Sequence, residues 1–250
     1  MRRAYNLAAK REVSNEDFLK GGAGEGRARA GPTRDDLLTL AVETATEKRS
    51  AAVARGRRLL ALRSSEPRVG GAAAGVLEEI DRALAEARVR LEEVELFAAA
   101  VGPGSFTGLR SGLATLKALA VTLGRPLVGV PTLHALAHAS RPAERLAALI
   151  PAGRGEVFAQ LLGVTSEGVV TELCGPAHVA PARLLEKMRG LGGGIKFTGG
   201  GAFKYFELIR EAAEASGLRL SEAAPAVRDA EHLRALGGRG APDDGPDDGV

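Results

Sequence analysis

The sequence is poor in the residues that mark several classes of protein. It contains one cysteine, Cys174, no tryptophan, and only 4% aromatic residues. A single cysteine excludes an intrachain disulfide, and we expect its side chain to be small and buried. No apolar run reaches the roughly 18–20 residues that a membrane-spanning helix needs. Residues 1–35 contain no apolar stretch typical of a secretory leader. These absences predict a cytoplasmic protein without membrane contact.

The charges nearly cancel. There are 34 basic and 31 acidic residues among 250, a formal net charge of +3. This balance argues only weakly for nucleic-acid binding and not at all for a membrane surface. We expect residues 1–36 to form a disordered N-terminal arm. We also expect residues 237–250, rich in glycine, proline and aspartate, to be a disordered acidic tail.

A glycine-rich stretch is the central feature of the chain. Residues 102–112 read GPGSFTGLRSG and follow an apolar run at 96–101. The stretch lacks the Lys-Ser/Thr pair of a phosphate loop, and Thr107 replaces the third glycine of the dinucleotide fingerprint. The pattern favours a tight turn between a strand and a helix, capped by Ser105 or Thr107. An anion bound at the start of the helix is the alternative.

The helix predicted at 109–123 is apolar on almost every side. Its only charges are Arg110 and Lys117. A helix of this kind is normally covered on more than one side. Either the whole helix is buried within this chain, or a partner chain covers part of it. We predict a partner interface made of Val76, Ile80, Gly108, Leu109, Ser111, Gly112, Thr115 and Leu119.

The order of predicted elements occurs twice. In the first half, strands are predicted at 37–42, 49–54, 58–63, 96–101 and 127–130, with helices at 75–90, 109–123 and 132–139. In the second half, strands are predicted at 146–150, 157–164, 169–173 and 195–198, with helices at 182–189, 199–216 and 226–236. The repetition indicates a diverged duplication, with a first lobe at 37–141 and a second at 142–236.

This duplicated α/β pattern, with Thr44 and Thr46 after the first strand, resembles the two-lobed actin-like and Hsp70-like (ribonuclease H-like) fold, with the second lobe smaller. Residues 102–110 are similar to the signature of the bacterial TsaB (YeaZ) family. The segments PLVGV at 126–130 and RGEVF at 154–158 continue that similarity at the family's spacing. The resemblance covers about residues 37–210.

The resemblance implies a non-catalytic partner subunit with no catalytic residue and no cofactor of its own. Such a subunit pairs with a TsaD-like catalytic subunit and a TsaE-like ATPase. Together they support transfer of a threonylcarbamoyl group to the adenosine beside the anticodon, in tRNAs that read codons beginning with A. The resemblance also implies a homodimer when the subunit is alone, and contact with tRNA only through the complex.

The chain departs from the nucleotide-binding members of this fold. In those members, an acid after the first strand of each lobe holds the metal-nucleotide. In the first lobe of this chain, Glu43 stands where aspartate is usual. In the second lobe, Pro151 stands where an acid would be expected. We therefore predict a vestigial nucleotide cleft at Glu43, Thr44, Thr46, Gly199, Gly200 and Gly201. The alternative is an ATP-binding kinase or ATPase of the same fold. A peptidase has no Ser–His–Asp arrangement to support it.

Two histidines suggest a metal site, but only an incomplete one. His134 and His138 are four residues apart, so they share one face of the predicted helix. No third ligand lies near them in the sequence, whereas a zinc site needs at least three protein ligands. We therefore predict no bound metal.

Overall fold

The structure is a computed structural model that describes residues 36–46, 48–65, 72–189, 194–216 and 219–220. The predictions for the N-terminal arm, for a helix at 226–236 and for the acidic tail fall outside these ranges, apart from Asp36. Among the helices of the described ranges, none has the length and apolarity of a membrane span.

The first half of the chain forms a five-stranded sheet in the order β3-β2-β1-β4-β5. Strand β1 is antiparallel to β2, which forms a hairpin with β3, and parallel to β4. Strands β4 and β5 are also parallel. The elements are β1 (Leu38–Glu43), β2 (Arg49–Arg55), β3 (Arg58–Ser65), α1 (Ala72–Ala87), β4 (Leu96–Gly102), α2 (Phe106–Leu123) and β5 (Leu127–Pro131), with a short 3-10 turn at Leu91–Glu93 before β4.

The second half repeats this topology in the order β11-β10-β6-β7-β8, with β9 paired to β7. Strand β6 takes the place of β1: it is antiparallel to β7 and parallel to β10. The two sheets therefore have the same strand order, which confirms the predicted duplicated α/β fold. The elements are α3 (Thr132–Ala139), β6 (Ala143–Gly153), β7 (Glu156–Val164), β8 (Val170–Glu172), β9 (Ala177–Val179), α4 (Pro181–Met188), β10 (Gly194–Thr198), α5 (Gly200–Lys204), α6 (Phe206–Ser216) and β11 (Arg219–Leu220).

Helices cover the sheets from defined sides. Helices α1 and α2 enclose a core against the first sheet, built around Phe97 and Leu116. Helix α3 packs against one face of the second sheet through Leu133 and Leu136. Helices α4 and α6 cover the opposite face of that sheet in a separate cluster that includes Ile209.

The faces of α1 differ from those that its sequence pattern predicts. The helical spacing of its apolar residues predicts Leu77 on the buried face, but Leu77 is 47% exposed. The same pattern predicts Glu79 on the polar face, but Glu79 is only 4% exposed and its carboxylate lies 3.7 Å from an Arg82 nitrogen. The buried stripe of α1 contains Val76, Ile80 and Ala83. Residues three or four positions apart share one face of a helix, so Glu79, three positions after Val76, falls on that stripe.

Two further expectations were wrong. The single helix predicted at 199–216 is interrupted, because Tyr205 has φ of −110° and separates α5 from α6. Tyr205 packs against the second core, so the break directs an aromatic ring inward. Cys174 was expected to be buried, but it is exposed just after β8, although its backbone N–H still donates to the Leu161 carbonyl of β7 at 3.1 Å.

A buried pair of hydroxyl groups links the crossover between the lobes to the second sheet. Ser140 follows α3, and its Oγ lies 2.8 Å from Thr198 Oγ1 of β10. The same Oγ lies 3.1 Å from the Leu136 carbonyl. The Lys196 ammonium group also donates to the Ser140 carbonyl at 2.9 Å. The point where the chain enters the second lobe is therefore held by several polar contacts.

We expect Ser140→Ala to destabilise the protein. The substitution leaves the buried Thr198 hydroxyl without this partner, which costs about 1–3 kcal/mol. Urea unfolding followed by circular dichroism would measure the change. Ser166→Ala is the matched control, because the Ser166 hydroxyl is exposed and bonds only its neighbour Glu167. Equal unfolding midpoints for the two variants would contradict the expectation.

Candidate functional site at the glycine-rich turn

The glycine-rich stretch forms the predicted turn between β4 and α2. Helix α2 begins at Phe106, almost a turn earlier than expected, and Ser105 is its N-cap. The Ser105 hydroxyl accepts a hydrogen bond from the Gly108 N–H at 3.2 Å. Of the two candidate caps, Ser105 is therefore the one used. Capping by a side chain satisfies an amide that would otherwise be available to an anion.

This turn packs directly on the turn between β1 and β2. The Ser105 N–H donates to the Ala45 carbonyl at 2.7 Å. A methyl group added at Gly104 would overlap Ala45, and one at Gly108 would overlap the Thr44 carbonyl. The start of α2 thus packs against backbone of its own chain, at a distance that is possible because glycine has no Cβ atom. These contacts hold the start of α2 against the turn that follows β1.

The Glu43 carboxylate is used to close the turn that follows β1. Glu43 is 3% exposed. Its Oε1 accepts from the N–H groups of Ala45, at 2.5 Å, and Thr46, at 3.2 Å. Its Oε2 accepts from the Thr46 hydroxyl at 2.9 Å. Both carboxylate oxygens therefore accept hydrogen bonds from the turn that follows β1.

The second half of the predicted cleft is also a packed turn. Gly199 has φ of +92°, and a methyl group there would overlap the Leu149 carbonyl of β6. A methyl group at Gly201 would also overlap Leu149, 2.8 Å from its Cβ atom. A methyl group at Gly200 would sit 3.6 Å from the Pro151 ring. This turn connects β10 to α5 by close backbone packing, and its three glycines carry no carboxylate that could hold a metal ion.

The two histidines of α3 have different partners. His134 Nε2 lies 3.0 Å from a Glu172 carboxylate oxygen. His138 Nδ1 accepts from the Arg141 guanidinium at 2.9 Å. Burial, together with the charges of Arg141 and Arg57, lowers the pKa of His138 to about 4. Within the described ranges, no three His, Cys, Asp or Glu side chains are arranged to hold a metal ion.

The residues predicted for a partner interface lie mostly inside the chain. Val76, Ile80 and Gly112 are buried. Leu119 packs against the first core, and Leu109 contacts Gly102 of the turn. The remaining residues of the prediction, Gly108, Ser111 and Thr115, are half-buried. The reason is the helical spacing. Gly112, Leu116 and Ala120 form one stripe of α2 that packs on the sheet, and the positions beside this stripe are therefore partly buried as well.

A different face of α2 is exposed, which we call the outer face. Phe106 is 66% exposed and Val121 is 81% exposed. The Arg110 guanidinium lies 5.5 Å from the centre of the Phe106 ring. Neighbouring strands expose Val101 and Val128. The outer face consists of Phe106, Arg110, Ala114, Lys117, Ala118 and Val121. The sequence did not separate this face from the others, because α2 is apolar on almost every side.

Comparisons with known proteins fit this geometry. A family model described as TsaD, tRNA N6-adenosine threonylcarbamoyltransferase, matches residues 73–234. The structure is similar to that of YeaZ from Pseudomonas aeruginosa, with a TM-score of 0.61 and 29% identity, over 80% of this chain and 90% of that one. The chain belongs to the TsaD-related TsaB (YeaZ) family.

Other relatives agree with this membership. A second Pseudomonas aeruginosa structure, described as similar to peptidase YEAZ, has a TM-score of 0.64 and 27% identity, over 80% of this chain and 90% of that one. The TsaB protein of Haemophilus influenzae is 34% identical over 131 residues, which are 49% of this chain and 52% of that protein. A threonylcarbamoyltransferase of Chelativorans is 48% identical over 67 residues, 27% of this chain and 18% of that protein. The chain thus spans about half or less of the length of the last two proteins.

We expect Gly108→Ala to destabilise this TsaB-family chain. Helix propensity alone would make the change stabilising by about 1 kcal/mol. The new methyl group would overlap the Thr44 carbonyl, and such overpacking costs about 1–3 kcal/mol. Gly175→Ala is the control, since nothing lies within 4 Å of its added methyl group. Urea unfolding would measure both. A Gly108→Ala variant more stable than the parent would contradict the close packing of the two turns.

We also expect His138 to make stability depend on pH. Its folded pKa of about 4 lies below the usual value of 6.5. The stability that depends on the neutral ring is therefore complete above about pH 6.5, and it is lost progressively as the pH falls towards 4. A His138→Gln variant should lose less stability over this window than the parent protein. Parallel pH dependences of the unfolding free energy would show that His138 is not responsible.

Proposed function

We propose that this chain is a non-catalytic partner subunit of a TsaD-type transferase in the biosynthesis of tRNA threonylcarbamoyladenosine. One observation carries the non-catalytic part of the proposal. The Glu43 carboxylate, which would have to hold a metal-nucleotide, accepts hydrogen bonds from its own turn. Because Glu43 is buried and accepts these hydrogen bonds, its carboxylate is not positioned for magnesium.

Membership in the TsaD-related TsaB family supports the choice of partner and pathway. The Haemophilus influenzae relative is named as a tRNA threonylcarbamoyladenosine biosynthesis protein. The proposal includes a TsaE-like ATPase that binds the pair. It includes no cofactor for this chain, and no observation favours the alternative of an ATP-binding kinase or ATPase.

The chemistry of the outer face of α2 supports a partner other than a second copy. The face combines the exposed apolar side chains of Phe106 and Val121 with two cations, Arg110 and Lys117. Helix α2 contains no acidic residue. A complementary surface would supply apolar side chains and carboxylates. A homodimer through this face would place the cations of both copies near one another, so we rank it below the heterodimer.

We expect Val121→Glu to weaken association with a TsaD-type subunit by about thirtyfold or more, equivalent to about 2 kcal/mol. The substitution puts a carboxylate into an apolar contact, next to the carboxylates that we propose for the partner's surface. Because Val121 is highly exposed, the fold of the isolated chain should not change. Size-exclusion chromatography and calorimetric titration of the purified proteins would measure the association.

Val169→Glu is the matched control, because Val169 is also an exposed valine, at 61%, but lies in the second lobe. The control should associate as the parent chain does. Loss of association only in the control variant would place the partner on the second lobe. If the parent chain did not associate with a TsaD-type subunit at all, with or without ATP and a TsaE-like protein, the proposed function would be wrong.

A further inference from the structure

A row of arginines lies along one edge of the first sheet. Strands β1, β4 and β5 are parallel, so the segments that lead into them meet at the edge formed by their amino ends. The β2–β3 turn is at the same edge, because Arg55 pairs with Leu38 and the Gly56 N–H donates to the Leu37 carbonyl. Arg141 follows α3, and both Arg141 and Arg57 lie within electrostatic reach of His138. The arginines of this amino-end edge are Arg55, Arg57, Arg58, Arg88, Arg125 and Arg141.

The tip of the β2–β3 hairpin concentrates this charge. Arg55 and Arg58 are paired directly across the two strands, and both are exposed. Like charges in directly opposite positions destabilise a sheet. Arg57 lies in the turn between them and is also exposed. Folding alone gives no reason to place three guanidinium groups at one tight turn, so their convergence points to an external anion.

Acids near the edge offset only part of its charge. Among the described residues, none forms an ion pair with Arg57 or Arg58. Glu93 accepts from the Arg90 N–H at 2.8 Å and lies within electrostatic reach of Arg55, and Glu95 accepts from the Leu38 N–H at 2.9 Å. In contrast, exposed arginines of the helices are paired: Arg82 bonds Glu78, and Arg210 bonds Glu207.

Cationic charge continues from the hairpin onto the crossover between the lobes. The Arg141 guanidinium donates to both the ring and the carbonyl of His138. Burial and the charges of Arg141 and Arg57 together lower the pKa of His138, so Arg57 of the first lobe lies within electrostatic reach of α3. From β2 to β5 the edge extends about 14 Å, three strand spacings, which is long enough to contact more than one phosphate of a nucleic-acid backbone.

We propose that this amino-end edge, with Arg57 and Arg58 at its centre, binds the phosphate backbone of RNA. Guanidinium groups match phosphate oxygens with paired hydrogen bonds, whereas the hairpin tip has no aromatic or amide side chain to read bases. Binding is therefore independent of base sequence. The proposal rests on the proposed function for the identity of the RNA, a tRNA, and it gives this chain a direct contact beyond the indirect one that the sequence implied.

The hairpin tip, with Arg57 and Arg58, is separate from the outer face of α2. Strands β1 and β4 lie between the β2–β3 hairpin and β5 in the sheet. The hairpin is also at the opposite end of β1 from Glu43 and the glycine-rich turn, about 17 Å away along the strand. Changes at Arg57 and Arg58 are therefore expected to leave partner association intact, which allows the two proposals to be tested separately.

The experiment is a fluorescence-anisotropy titration of a labelled, unmodified tRNA transcript with the full chain, alone and with a TsaD-type subunit. An Arg57→Glu/Arg58→Glu variant should bind about tenfold more weakly or worse near 0.1 M salt. The slope of log affinity against log salt should also fall by about 1.5, since each lost phosphate contact contributes roughly 0.7–0.9. Arg183→Glu/Lys187→Glu is the control, because it makes the same charge change on the exposed side of α4.

The outcomes separate the two proposals. Weaker tRNA binding in the hairpin variant alone, with partner association unchanged, supports the RNA-binding edge. Unchanged tRNA affinity in that variant, or equal losses in both variants, overturns it. If the hairpin variant keeps its tRNA affinity but loses the TsaD-type subunit, the edge binds protein and the RNA proposal is wrong. Failure of the proposed function would instead show in the parent chain, as no association with that subunit.

Discussion

The contact between two turns of the first lobe determines how the rest of this molecule can act. The Ser105 N–H donates to the Ala45 carbonyl, and Gly104 and Gly108 allow the start of α2 to reach backbone that a larger residue would push away. This contact fixes the position of α2 on the sheet.

The close packing of the glycine-rich turn and the exposure of the outer face both follow from the way in which α2 lies on the sheet. Because Gly112, Leu116 and Ala120 hold α2 against the sheet, its opposite side is presented to solvent. Glu43 meanwhile accepts hydrogen bonds from its own turn. The surfaces on which our two proposals depend lie elsewhere: exposed apolar side chains with cations on α2, and guanidinium groups along the amino-end edge.

The sequence predicted the order of elements well, because strands buried on both faces and strongly periodic helices leave clear patterns. It predicted the Ser105 cap as one of two choices. It did not predict the break at Tyr205, since the residues around it are compatible with a continuous helix. It did not single out the outer face of α2, because periodicity cannot orient a helix that is apolar on almost every side. The role of Glu43 was also hidden, because two of its three partners are backbone N–H groups that any residue supplies.

Hydroxyl-radical footprinting of the chain with and without a TsaD-type subunit tests the central claim most directly, because it reports the exposure of individual side chains. Phe106 on α2 and Phe203 on α5 are both highly exposed phenyl groups, so they react comparably in the isolated chain. Our account predicts that the subunit protects Phe106, together with Val121, and leaves Phe203 reactive. Protection of Phe203 with Phe106 still reactive would contradict it.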